Sequence, residues 1–230
     1  MMTIRSVALT LAMFGSALAA PMAHALEPGA VDSKFRNVII LAPVNQTGEL
    51  MPLKDVGMVA FFSRLAADQF AIGWQKRTGN SGEFRVAPLS LTQFESAFLT
   101  AQEKDQNLAK AYVPDPAQIP AVVGLQMQQG VETQNARALA QSQPYIFCPD
   151  PLIRVKITPS DGGAPTTRVP CGFSFTSMAL LINQINQNAK SPTVLKAYSL
   201  QDMVTFLTEQ SGEDAQNLVI ATPIEITKTN

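Results

Sequence analysis

The side chains able to do chemistry are few, and their types exclude most catalytic arrangements. The only histidine, His24, falls inside an apolar N-terminal leader, so the chain beyond Ala25 has no imidazole. That removes Ser-His-Asp and Cys-His nucleophiles, histidine-ligated zinc and the commonest general base. No phosphate-binding glycine loop ends in Lys-Ser/Thr, and neither Gly-x-Ser-x-Gly nor Ser-x-x-Lys occurs. Ser63 and Ser174 each follow an apolar run and precede a helical pattern, where a serine side chain satisfies free backbone N–H groups. Lys104-Asp105 and Glu213-Asp214 read as solvated charges near helix ends, and Asn107 and Asn217 as turn residues. Trp74 sits on an apolar helix face and reads as core. No catalytic group, metal site or cofactor is expected.

The two cysteines, Cys148 and Cys171, carry the remaining chemistry. Ile153 to Ile157 and Thr166 to Val169 alternate apolar and polar residues on either side of Ser160-Asp161-Gly162-Gly163, the pattern of a β-hairpin. The cysteines stand almost symmetrically about that turn and so can face each other across adjacent strands. In an exported chain such a pair reads as a structural disulfide. The close Cys-x-x-Cys spacing of a redox pair is absent, and two thiolates without histidine make a poor metal site.

Residues 1–25 read as a signal peptide: a positive start with Arg5, an apolar run from Ser6 to Ala20, and Ala23-His24-Ala25 before the cut. The run is shorter than the roughly 20 residues of a bilayer span. An uncleaved N-terminal anchor is the competing reading. Cleavage after Ala25 removes Arg5 and no acid, leaving 16 basic and 18 acidic residues, a net of −2. With no basic stripe, nucleic acid is a poor partner. A soluble periplasmic product without a permanent membrane anchor is expected.

The elements that would position these residues occur twice. Phe61-Phe62-Ser63 returns as Gly172-Phe173-Ser174, 111 positions later; Ser90-Leu91 as Ser199-Leu200, 109 later; Gln106-Asn107-Leu108 as Gln216-Asn217-Leu218, 110 later. Helix register agrees as well. Ala67, Phe70, Ala71 and Trp74 lie on one helix face, and Met178, Leu181, Ile182 and Ile185 lie 111 positions on. Leu91, Phe94 and Phe98 follow Ser90 as Leu200, Met203 and Leu207 follow Ser199, with Gln93 and Asp202 at the capping-box position. Strands are predicted at Asn37–Ala42, Met58–Phe62, Phe84–Val86 and Ala109–Val113, then at Tyr145–Phe147, the hairpin, Val194–Ala197 and Leu218–Ala221, with Pro223 after the last. Phe61 and Phe62 are both buried only if the sheet is covered on two sides.

The expected fold is therefore α/β (α+β): two tandem pseudo-symmetric β-β-α-β-α-β units, 37–116 and 144–227. An N-terminal extension at 26–36 precedes them, and a connector at 117–143 joins them. Pro120 to Met127 reads as a helix, and the Gln-, Ala- and Asn-rich stretch after Gly130 as helical or flexible.

Val59-Ala60-Phe61-Phe62-Ser63 entering a helix, Val86-Ala87-Pro88-Leu89-Ser90-Leu91, and Ala111-Tyr112-Val113-Pro114-Asp115-Pro116-Ala117-Gln118 closing a unit resemble the Tic22 family. The resemblance runs most clearly from Asn37 to Gln128 and more loosely from Pro144 to Pro223. It implies two α/β halves with apolar surface pockets, a location between two membranes, and a chaperone-like part in preprotein import or outer-membrane biogenesis. The cysteine-linked hairpin and the Gln-rich connector depart from the pattern. The expectation is a binding factor for unfolded or exported proteins that acts through apolar grooves without catalysis. The alternative is a structural accessory subunit of an envelope-spanning secretion or conjugation machine, whose partners would be the machine's other subunits.

Overall fold

The computed structural model describes residues 26–79, 85–157, 164–187, 191–209 and 212–222. The leader and its cut, Phe84, the 160–163 turn and Pro223 lie outside the described residues. The chain opens with α1 (Pro28–Phe35), which the sequence reading treated only as an extension. β1 (Ile39–Val44), β2 (Met58–Phe61), α2 (Arg64–Thr78), β3 (Arg85–Ser90), α3 (Leu91–Gln102) and β4 (Lys110–Val113) follow. A short 3₁₀ turn (Pro116–Gln118) leads into α4 (Ile119–Gln128) and α5 (Thr133–Ser142), so the connector is helical on both sides of Gly130. Then come β5 (Tyr145–Asp150), β6 (Val155–Ile157), β7 (Thr166–Gly172), α6 (Phe175–Asn186), β8 (Val194–Ser199), α7 (Leu200–Glu209), α8 (Glu213–Asn217) and β9 (Leu218–Ala221).

These strands form two sheets. The first has the order β3-β1-β2-β4, with β1 antiparallel to both its neighbours and β2 parallel to β4. In the second, β8-β5-β7-β9 repeats that order and those strand senses, with β6 added against the start of β7. Registers correspond too. Ile39 faces Ser90 as Tyr145 faces Ser199, Leu41 faces Phe61 as Phe147 faces Gly172, and Met58 faces Lys110 as Val169 faces Leu218. This register corrects one sequence match. Leu218 occupies the place of Lys110, two residues beyond Leu108, so the repeated Gln-Asn-Leu is out of register with the strands. Asn107 sits in a turn closed by Asp105, whereas Asn217 ends α8.

Local chemistry explains the helix starts. Ser63 and Ser174 accept the backbone N–H groups of Ala66 and Ser177 at 3.4 and 3.2 Å. Ser90 and Gln93 form a reciprocal capping box, and Ser199 and Asp202 form another. β3 extends to Ser90 rather than stopping at Val86, and each of these two caps is the last residue of an edge strand.

One face of each sheet enters a shared central core. Ile40, Ala42, Ala60 and Phe62 from the first sheet meet Ile146, Cys148, Val169, Cys171 and Phe173 from the second, with Phe94, Phe98, Met203 and Leu207 from α3 and α7. Phe62 and Phe173 touch at a ring-centroid distance of 5.0 Å. The opposite faces have separate coverings. Leu41, Val59 and Phe61 pack under α2 with Ala67 and Trp74. Tyr145, Phe147 and Ala197 pack under α4, α5 and α6 with Val122, Ala140 and Met178. Phe61 and Phe62 are consequently both buried, on opposite faces.

Candidate functional site

Cys148 on β5 and Cys171 on β7 are joined by a disulfide, with Cα atoms 4.5 Å apart, and both are buried in the central core. The hairpin of β6 and β7 is present, with Val155 facing Arg168 and Ile157 facing Thr166. Cys148 lies on β5, before that hairpin, and reaches Cys171 because β5 also pairs with β7. Buried and bonded, the pair braces the second sheet.

The other residues singled out in the sequence are structural. Ser63 and Ser174 are helix caps. Trp74 is buried, stacks on Phe70 at 5.9 Å and lies under Arg77. Glu213 and Asp214 both receive the Arg154 guanidinium at 2.6 Å, an exposed fork that ties α8 to the loop before β6. Among the described residues, no three His, Cys, Asp or Glu side chains gather as metal ligands. No described helix is long and apolar enough to cross a membrane.

A groove of about 760 Å³ lies between α1, α3, α7 and β4. Its walls come from matching positions of the two sheets' helices. Leu91 and Leu200 are each the first residue after the capping serine, and Glu95 and Val204 each stand four residues further along. Residues four apart share a helix face, so α3 presents Leu91, Glu95, Leu99 and Glu103 in one row. α1 crosses the groove. Val31 and Phe35, one turn apart, are buried in the central core, while Asp32 faces the opening. Lys34 donates to the Gln216 carbonyl and Ile39 N–H to Thr222 Oγ1, fastening α1 and the start of β1 to the second half of the chain.

The α3 wall carries the groove's only described charge cluster. Lys110 Nζ and the Tyr112 hydroxyl both donate to the Glu95 carboxylate. Lys110 also lies 4.8 Å from the Phe98 ring centre. Burial pushes the Tyr112 phenol well above its ordinary range, and the bond to Glu95 and that carboxylate's charge push it the same way. Lys110 is thereby committed to Glu95, while Asp32 and Glu103 have no ion-pair partner among the described residues. Leu99 between them is 58% exposed. A second, smaller cavity of about 130 Å³ lies beside the Phe62–Phe173 contact, under Tyr145, Gln118 and Gln143.

Sequence reasoning assigned Leu91 and Leu200 to buried helix faces and did not single out Glu95, Leu99, Glu103 or Val204. A signal was present: the four-residue ladder Leu91-Glu95-Leu99-Glu103 is a second stripe beside the buried one. The groove carries the Lys110 and Tyr112 contacts to Glu95 on one wall. It offers shape, exposed apolar surface and uncompensated negative charge.

Together these features define a class, a two-sheet α/β protein with a groove between helices drawn from both sheets. No family model matches the sequence, and no curated protein matches it. Solved structures share the fold, among them two Tic22 proteins. Tic22 from Anabaena, described as a protein-transport protein, matches with a TM-score of 0.68 at 16% identity, over 85% of this chain and 92% of that one. Tic22 from Plasmodium falciparum matches with a TM-score of 0.57 at 13% identity, over 83% and 90% of the two chains. The chain is Tic22-like in fold.

Proposed function

We propose that this chain is an exported protein-binding factor with a role in protein transport or outer-membrane biogenesis. It holds apolar segments of unfolded or passing proteins without catalysing a reaction. The observation that carries this reading is the groove of about 760 Å³ between α3 and α7, where apolar side chains from both halves of the chain line one opening. Anabaena Tic22, described as a protein-transport protein, supports the transport setting. The leader and the disulfide support export into an oxidising compartment, the periplasm. The loss of the only histidine with the leader supports a non-catalytic role. The equal strand order and registers of the two sheets support descent from one copied module.

The test uses the chain beginning at Leu26 and an unfolded outer-membrane protein. At equimolar ratio the chain should delay aggregation, and a photocrosslinker at Leu99 should capture unfolded chains in the periplasm. No delay together with no crosslink defeats the proposal. Recovery of one large stoichiometric assembly instead assigns the chain to an envelope machine as an accessory subunit.

A further inference from the structure

We infer that the groove selects cationic amphipathic helices over neutral or anionic ones, with Asp32 and Glu103 reading the charge and Leu99, Leu200 and Val204 the apolar face. This rests on the protein-binding reading above and names the chemistry of the segment held. The two walls differ where their positions match: Glu95 on α3 stands where Val204 stands on α7. Along α3, Glu95 and Glu103 are eight residues apart, about 12 Å of helix, with exposed Leu99 midway. Lys110 neutralises Glu95, but Asp32 and Glu103 stay uncompensated among the described residues, so the lining carries a net negative charge. An incoming helix with leucines on one face and lysines at its flanks would cover Leu99, Leu200 and Val204 while bringing ammonium groups to Asp32 and Glu103. α1 already shows the apolar half of this mode, since it seats Val31 and Phe35, one turn apart, between the same two walls. The long side chains of lysine bury their stems and keep the charge at the rim. A second copy of this chain is disfavoured, because two acidic grooves on a chain of net −2 after leader removal repel.

The experiment compares two labelled 18-residue helical peptides with the same leucine face, one flanked by lysine and one by glutamate. Binding to the chain from Leu26 is read by fluorescence anisotropy at low and high salt. The lysine peptide should bind about tenfold tighter or more at low salt, and the gap should shrink as salt screens the charges. Glu103→Lys with Asp32→Lys changes two groups without ion-pair partners and should erase or reverse the preference with the far-ultraviolet circular dichroism unchanged. Leu99→Asn should weaken both peptides alike. Equal binding of the two peptides, or a preference untouched by the double reversal, overturns the inference. If the chain still delays aggregation of the unfolded outer-membrane protein in that case, charge selection alone has failed. If it does not, the protein-binding reading has failed with it.

Discussion

The first sheet's outer face lies under the single helix α2, and the second's lies under three helices, α4, α5 and α6. Beneath that difference the strand order, strand senses and registers are the same. Where α2 works alone it carries large aromatics: Trp74 and Phe70 stack on each other, and Phe70 lies 5.1 Å from Phe61. The second face keeps one such contact, Phe175 of α6 at 5.6 Å from Phe147, and is otherwise covered by smaller side chains from more helices, such as Val122 and Ala140 with Met178. The inner faces, which meet in one core, have no such freedom, since each is the other's partner. A layer that must bury a sheet face can be built from few large or many small side chains, because the requirement is excluded water and filled volume.

Four pairs of substitutions probe how far the two halves are alike, in falling order of effect. Phe62→Ala and Phe173→Ala each remove a buried ring from the contact between the sheets and should each cost about 4 kcal/mol in chemical denaturation. The double mutant should cost clearly less than the sum, because each ring packs on the other. Full additivity would mean the two rings are held independently. Next, Cys148→Ala with Cys171→Ala opens a loop of sequence separation 23 and should cost about 3 kcal/mol, felt first as faster hydrogen exchange in β5 and β7. Equal acceleration in β1 and β2 would show that the two sheets unfold as one unit.

Gly57→Ala and Arg168→Gly exchange the character of two matched positions, one residue before the Met58–Lys110 and Val169–Leu218 pairs; Gly57 precedes β2, whereas Arg168 lies within β7. Gly57 has φ +87°, and a Cβ there would lie 2.1 Å from the Ala109 carbonyl oxygen, so alanine should cost about 2–3 kcal/mol. Arg168 lies within the hairpin, facing Val155, and glycine there should cost only about 1 kcal/mol. Similar values would remove the distinction between a tight turn entering β2 and a hairpin entering β7. Smallest are Ser90→Ala and Ser199→Ala, each removing a reciprocal cap at about 1 kcal/mol, measured by the shift in melting temperature.

A pH titration sharpens the same comparison, because a Tyr112–Glu95 pair has no counterpart where Val204 stands. Burial raises the Tyr112 phenol in the folded chain, so above pH 10 the unfolded chain releases a proton that the folded chain retains. Stability therefore falls as pH rises past 10, and Tyr112→Phe should flatten that fall in alkaline denaturation midpoints. An unchanged slope would show that Tyr112 titrates like a free tyrosine.

Elements repeated at helical and strand periods were legible in the chain. Ser90 with Gln93 and Ser199 with Asp202 announce their helices because capping is local chemistry. The disulfide was legible from an even pair of cysteines in a chain with an apolar leader, but the contact that makes it was not, since Cys148 meets Cys171 through the pairing of β5 with β7 and not across the hairpin. α1 was not: eight residues with an undistinguished pattern become a helix when Val31 and Phe35 find the gap between α3 and α7. The connector's second half was equally silent, since so short a Gln- and Ala-rich segment holds its helix through packing that buries Ala136 and Ala140. The groove residues escaped because Glu95 and Leu99 look like an ordinary exposed stripe until a facing wall exists.

By itself the sequence determined most of the strands, the helices that begin after Ser63, Ser90, Ser174 and Ser199, the recurrence of that pattern, and the absence of histidine beyond Ala25. Those are consequences of backbone and near-neighbour energetics, which act within a few residues. Only the tertiary structure decided that the two sheets share one core, that α1 crosses the cleft, and that Glu95 faces the groove whose other wall carries Val204. Those facts depend on which apolar faces meet, and the free energy of burial sets that between residues more than 100 positions apart, as with Phe62 and Phe173.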